Sequence, residues 1–299
     1  MDRIMDWGVT VILWFQQFSP TLDLPFIAFT LLGEERFFML LLPFLYWCVD
    51  RRAGMRLAVL FLSSAYLNAA VKTLAGQPRP FDFDPRVRAL YPAGGAGFPS
   101  GHTQSAVVVW GYLASSFRRP WLWVAAALLL IFVPLSRIYL GVHFPTDLLG
   151  GYVLGIVLLL LYLRVEPLVE GWLKMKGLFA QGVAAVALPG LLLLLAPTDH
   201  RHGITTASAL MGMSLGFALE KRWVRFDSGG TLRKRALRFL AGMALLMPLA
   251  WVLETVSSGV EPPNLLRFLR YVLLGLATTA GMPWLFLRLR LADHRHLDS

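Results

Sequence analysis

The chain has 299 residues, of which 57% are apolar and only 15% charged, and its mean hydropathy is +0.60. A soluble domain carries about 25% charged residues, so a water-facing surface over most of this chain is excluded, and the natural unit becomes the membrane span of about 20 residues. The net charge of +10 would suggest nucleic acid in a soluble protein; here the cations are sorted by side of the membrane, and no nucleic-acid partner is expected.

Apolar runs cut by Pro, Gly and charge predict helices in chain order. The first covers about 4–18 and breaks at Ser19-Pro20; an apolar piece follows to about 32. These two form one kinked span, or an interfacial helix and a short span. Further helices are predicted over about 36–49, 53–74, 101–117, 121–140, 146–165, 177–196, 203–219, 239–256 and 268–287. The expected fold is therefore an all-α integral membrane protein. The first residues, with Asp2, Arg3 and Asp6, do not read as a cleaved signal peptide. Cys48 is the lone cysteine, so no disulfide forms within the chain.

Loop charge predicts orientation, because cytoplasmic loops are rich in Lys and Arg. With the loop around Asp50 cytoplasmic and strict alternation thereafter, 19 of the 28 basic residues fall on the cytoplasmic side. The segment 221–238 supplies seven of them and reads as a basic loop, with anionic headgroups as a further ligand. Trp7, Trp47, Trp121, Trp172, Trp223 and Trp284 fall near span ends, as an aromatic belt requires. Gly151-x3-Gly155 and Gly212-x3-Gly216 suit close helix packing, within one chain sooner than between copies.

Among the minority cations on the opposite side are Lys72, Arg79 and Arg137, where topology disfavours them. Three segments there stand at helix ends. The first is Lys72-x6-Arg79-Pro80, the second Pro99-Ser100-Gly101-His102, and the third Ser136-Arg137-x5-His143-x3-Asp147. Taken singly, Lys72 or Arg137 reads as a snorkelling anchor and Asp147 as a partner of its helix dipole. Together they form a phosphate cradle. Guanidinium forks match phosphate oxygens in pairs, and the free N–H groups at the helix start marked by Ser100 and Gly101 favour an anion. Two histidines divide the chemistry. His143, its second nitrogen held by Asp147 four residues on, is the nucleophile toward phosphorus. His102 protonates the departing alkoxide and then activates water. Ser136 either contacts phosphate or bonds within its helix. The Gly- and Pro-containing loop 81–98 either lies over the site or is an ordinary connector. His200 and His202 read as loop residues, and no metal site is expected.

These three segments resemble the signature motifs of the type 2 phosphatidic acid phosphatase superfamily, which also includes vanadium haloperoxidases and glucose-6-phosphatase. Every fixed motif position is matched, and the resemblance spans about residues 20–165. It implies a six-helix catalytic core and metal-independent phosphatase chemistry with no cofactor. It also implies His143, His102 and Asp147 as catalytic residues, with Lys72, Arg79, Ser100, Gly101 and Arg137 on phosphate. The domains expected are a catalytic core over 1–170 and an extension of about four transmembrane helices over 171–299. The expected function is hydrolysis of a lipid phosphomonoester, or of a lipid's terminal pyrophosphate such as undecaprenyl diphosphate. It proceeds through a phosphohistidine on the extracytoplasmic face of the plasma membrane. The alternatives are a lipid phosphotransferase using the same intermediate, and a lipid transporter with a phosphate clamp.

Overall fold

The computed structural model describes residues 2–195, 201–257 and 259–295. In order the helices are α1 (Asp2–Gln16), α2 (Asp23–Leu31), α3 (Glu35–Phe44), α4 (Arg51–Ala75), α5 (Pro80–Phe83), α6 (Gly101–Phe117), α7 (Pro120–Tyr139), α8 (Pro145–Lys174), α9 (Leu178–Leu195), α10 (Arg201–Leu219), α11 (Leu232–Ser257), α12 (Pro263–Leu276) and α13 (Met282–Arg288). Among the described residues the one extended pairing is a single bridge between Phe226 and His294. The all-α fold is as the sequence predicts. Pro stands at the first helical position of α5, α7, α8 and α12, where its fixed φ suits the helix and its missing N–H costs nothing.

Among the described residues five helical stretches are long and apolar enough to cross a membrane: Arg51–Phe83, Pro120–Tyr139, Pro145–Lys174, Leu232–Ser257 and Pro263–Arg288. The apolar stretch Phe179–Leu195 is shorter, and α6 has 17 residues. Along α8, Leu149, Val153, Ile156, Val157, Leu160 and Leu161 are all exposed. A soluble monomer rarely leaves so continuous an apolar face uncovered, and lipid is the solvent that suits it. The chain is a multi-pass integral membrane protein.

Packing divides the chain into two units, Met1–Met39 with Leu67–Val165, and Leu40–Tyr66 with Glu166–Ser299. The division is interleaved, where the sequence suggests one cut near residue 170. In the first unit α8 meets α6 through small residues: a Cβ on Gly151 would lie 2.6 Å from the Ser100 carbonyl oxygen, and one on Gly155 would lie 2.9 Å from Val107 Cβ. Gly151-x3-Gly155 thus serves packing within the chain, bringing the start of α8 against the start of α6.

The second unit explains why residues 40–66 belong to it. The π-helical turn Leu45–Val49 buries Tyr46, Trp47 and Cys48. Tyr46 Oη donates to the Thr279 carbonyl at 3.0 Å and Trp47 Nε1 to the Thr278 carbonyl at 2.9 Å. Trp47 is therefore a core residue and not part of a belt, whereas Trp7, Trp121, Trp172, Trp223 and Trp284 are exposed. Gly212 and Gly216 of α10 press on Val272 and Thr279. The basic segment 221–238 is not simply a loop, because α11 already begins at Leu232. Arg238 is fully buried. Its guanidinium donates to the carbonyls of Ser228 (3.0 Å), Gly229 (2.8 Å), Leu291 (3.0 Å) and Trp47. His202 lies exposed on α10 and not in a loop; His200 lies outside the described residues.

Arg238→Met removes a charged donor set from several carbonyls that have no water to replace it. Hydrogen bonds to charged groups contribute about 1.5–3 kcal/mol. The apparent thermal midpoint in detergent is therefore expected to fall by roughly 5–10 °C, while Arg233→Met, at an exposed position of the same helix, leaves it nearly unchanged.

Candidate active site

The site lies wholly in the first unit, where the C-terminal turns of α4 and α7 meet the N-terminal turns of α6 and α8. His143 stands in the short connection between α7 and α8 and is 2% exposed. Its Nδ1 lies 3.1 Å from Asp147 Oδ2. Asp147 sits at the third position of α8 and is fully buried. Oδ2 also accepts the Phe144 N–H at 2.9 Å, reaching back to the helix start as a capping carboxylate does. Oδ1 accepts the Gln77 amide at 2.7 Å. With the Phe144 N–H and the Gln77 amide both donating to it the carboxyl group acts as an acceptor, so the imidazole proton belongs on Nδ1 and Nε2 is unprotonated. Burial first, then the charges of Arg137, Arg79 and Lys72 and the nearby His102, hold the His143 pKa well below its ordinary value of 6.5. The ring is neutral at neutral pH.

The bare nitrogen faces a cation: Arg79 Nη1 lies 3.4 Å from His143 Nε2. Arg79 is 6% exposed and its plane is set by three carbonyls. Nε donates to Gly95 at 3.0 Å, Nη2 to Gly94 at 2.7 Å and Nη1 to Val142 at 2.8 Å. Lys72 Nζ donates to the carbonyls of Ala96 at 2.7 Å and Gly97 at 3.3 Å. The loop 81–98 therefore lies against the cations and is more than a connector. Arg137, 3% exposed, donates from Nη1 to Thr30 Oγ1, and its guanidinium carbon lies 5.6 Å from the Tyr91 ring centre. Its Nε is buried with no hydrogen-bond partner among the described residues.

Ser100 caps α6, its Oγ accepting from the Thr103 N–H at 3.4 Å, and is fully buried. Its own N–H donates to the Asp147 carbonyl at 2.9 Å, which ties the α6 start to the α8 start. A Cβ on Gly101 would lie 3.1 Å from Asn68 Oδ1. His102 follows in the first turn, its Nε2 buried and likewise without a partner. All eight residues named from the sequence are thus gathered by four helix ends. Ser136 is settled differently: its Oγ donates to the Val133 carbonyl at 2.6 Å, a bond within its own helix.

Residues 53–169, which hold all eight, match the family model described as the PAP2 superfamily, and residues 204–294 match its "PAP2 superfamily phosphatase, transmembrane extension". The chain belongs to the PAP2 superfamily. It is 30% identical over 204 residues to the mouse (Mus musculus) protein named sphingosine-1-phosphate phosphatase 2, covering 62% of this chain and 55% of that one. It is 33% identical over 117 residues to phosphatidylglycerophosphatase B of Bacillus subtilis, covering 36% and 55%. It is 30% identical over 118 residues to undecaprenyl-diphosphatase of Sulfolobus acidocaldarius, covering 39% and 56%. The chain thus spans about half the length of the curated relatives it matches.

Several contacts of this PAP2 site come from residues at no fixed position of the three motifs. Gln77 holds Asp147, and the buried pair Asn68 Nδ2 to Gln104 Oε1, at 2.8 Å, packs beneath Ser100 and Gly101. Gln77 lies inside the first motif at an unspecified position, so its place between Lys72 and Arg79 is the signal that finds it. Asn68 and Gln104 are legible only as amides one turn from Lys72 and Ser100. Nitrogen-15 spectra of histidine-labelled protein at pH 7 are expected to show one ring with a protonated Nδ1 and an unprotonated Nε2, lost in His143→Ala. In Gln77→Ala that Nδ1–H signal is expected to broaden or shift as the carboxylate is freed. A cationic His143 ring at pH 7 would contradict the assignment.

Proposed function

We propose that this chain is a lipid phosphate phosphatase working at the extracytoplasmic face of the plasma membrane through a phosphohistidine at His143. The observation that carries the reading is the bare Nε2 of a neutral, Asp147-held imidazole facing Arg79 at 3.4 Å. Lys72, Arg79 and Arg137 against Asp147 leave a net of two positive charges, the complement of a phosphomonoester dianion near neutral pH.

The lone pair of His143 Nε2 attacks phosphorus as the bond to the leaving oxygen breaks. His102, entering the step as the imidazolium, gives that oxygen its proton and becomes neutral, and the three cations take up the charge of the equatorial oxygens. Asp147 stabilises the imidazolium formed. In the second half His102 takes a proton from water, the hydroxide attacks phosphorus, and the P–N bond breaks to return the electron pair to Nε2. Orthophosphate leaves and both histidines regain their starting states. No step uses a metal or a cofactor.

The relatives named above act, by their names, on sphingosine 1-phosphate, phosphatidylglycerophosphate and undecaprenyl diphosphate. What these share is a terminal phosphate on a membrane-held tail. That shared chemistry, together with the exposed apolar faces of the flanking helices, supports a lipid phosphate or pyrophosphate as substrate. The excess of basic residues in the opposite loops supports the sidedness.

Purified protein in detergent with excess chelator is expected to release phosphate from at least one of phosphatidate, phosphatidylglycerophosphate, sphingosine 1-phosphate and a polyprenyl diphosphate. His143→Ala is expected to lower that rate by at least about a thousandfold. Chelator-sensitive release, or an active His143→Ala, refutes the reading.

The acid limb of kcat/KM follows protonation of His143 in the free enzyme. Because its folded-state pKa is depressed, the limb is expected below pH 6.5. The sign for stability is the same. Below pH 6.5 the unfolded chain takes a proton that the folded ring refuses, so stability present above that value is lost as pH falls. A limb above pH 6.5 contradicts the assignment.

A further inference from the structure

The turn between α2 and α3 lies outside all three motifs, yet it touches the site at three points. Thr30, fully buried in the last turn of α2, accepts the Arg137 Nη1 donor. Gly33 lies against the imidazole of His102: a Cβ built there would stand 2.8 Å from His102 Cδ2 and 2.8 Å from Val133 Cγ1. Glu34 accepts the phenol proton of Tyr91, and the Tyr91 ring faces the Arg137 guanidinium at 5.6 Å. The turn is itself well held, with Gly33 N–H donating to the Thr30 carbonyl at 2.9 Å and Glu34 N–H to the Leu31 carbonyl at 3.3 Å.

We infer that the segment Thr30, Gly33 and Glu34 is a fourth element of the active site, positioning His102 for proton transfer through Gly33 and Arg137 for phosphate binding through Thr30 and the Tyr91–Glu34 pair. The inference rests on the phosphatase reading and deepens it. Two features separate this from ordinary packing. The buried Nε2 of His102 has no hydrogen-bond partner among the described residues, so no polar contact at that nitrogen fixes the ring, and its direction is set by van der Waals walls, of which Gly33 is one. Arg137 presents a buried Nε with no partner while its Nη1 is tied to Thr30. The fork is thus held at one end with another nitrogen left for a phosphate oxygen. Glu34 is too far along this relay to touch substrate. Its carboxylate acts through Tyr91, placing negative charge behind the ring that faces the cation.

The two ends of the segment make different predictions. General-acid assistance matters when the leaving group is an alkoxide and hardly at all when it is a nitrophenolate, which departs without a proton. In Gly33→Ala the added methyl group pushes the His102 ring by several tenths of an ångström. Misplacement on that scale costs up to about a hundredfold in rate. We expect kcat/KM, which reports the steps up to leaving-group departure, to fall about 10- to 100-fold on the lipid phosphate that the wild type hydrolyses fastest and to stay within about twofold on p-nitrophenyl phosphate, while kcat falls on both esters because His102 also activates water. Thr30→Val keeps the side-chain shape and removes the acceptor for Arg137. Here inhibition by inorganic phosphate is expected to weaken about 5- to 10-fold, with the lipid-to-aryl ratio of kcat/KM as in the wild type.

Wild type, both variants and His143→Ala are to be assayed side by side with both esters. Equal losses of kcat/KM on the two esters in Gly33→Ala, as a general distortion or poor folding gives, overturn the inference, and so does no loss of kcat/KM on either. An unchanged phosphate inhibition constant in Thr30→Val overturns its Arg137 half. A wild type inactive on both esters, or a His143→Ala as active as wild type, overturns the phosphatase reading itself and the inference with it.

Discussion

Asp147 is fully buried, and its polar atoms join four stretches of chain. Its Oδ1 takes Gln77 from the connection after α4, and its Oδ2 takes His143 Nδ1 and the Phe144 N–H. Its carbonyl takes the Ser100 N–H at the start of α6, and its own N–H donates to the Phe144 carbonyl at 3.0 Å. One residue thus joins the proposed nucleophile, the Nδ1 side of its ring, the start of α6 and the segment between Lys72 and Arg79. The fit of α8 against α6 through Gly151 and Gly155 is what brings that carboxylate to this place. Without small residues there the two helix starts could not approach, and the dyad would have no anchor.

Gathering three cations around a neutral histidine at the edge of a bilayer is expensive. The chain meets that cost with backbone carbonyls in preference to carboxylates. Arg79 and Lys72 are satisfied by residues 94–97 and 142. Carbonyl dipoles solvate a cation without cancelling its charge, so the site keeps its attraction for an anion. Gly94, Gly95 and Gly97 allow the loop to turn its carbonyls inward, with Gly95 at φ +66°. Arg238 in the second unit shows the same device used for structure alone.

The parts of the site visible in the sequence were those packed into short contiguous motifs: a cation near a helix end, a Ser-Gly-His helix start, and a His four residues before an Asp. These are local spacings, and local backbone geometry carries them directly into three dimensions. What escaped was partnered from far along the chain. Thr30 meets Arg137, Glu34 meets Tyr91, and Gly33 meets His102, and no periodicity reports such contacts. Trp47 and Arg238 escaped for a related reason. Residue type and position near a span end suggest lipid headgroups and water, yet which face of a helix is covered is decided by its neighbours. Most helices were legible to within a few residues, except that α8 runs on through Pro167 to Lys174, α11 starts at Leu232, α12 starts at Pro263 and the short α5 falls where a loop was expected.

The proposed reaction turns on a covalent bond between phosphorus and His143 Nε2. Mixing the protein with phosphorus-32-labelled p-nitrophenyl phosphate, whose nitrophenolate departs without a proton, quenching in alkali and mapping the label in wild type and His102→Ala reads that bond directly. A label that is acid-labile and alkali-stable, sits on the peptide containing His143, and accumulates when His102 cannot activate water is the predicted result. Steady phosphate release with no label on His143 at any quench time, or label on another residue, would contradict it.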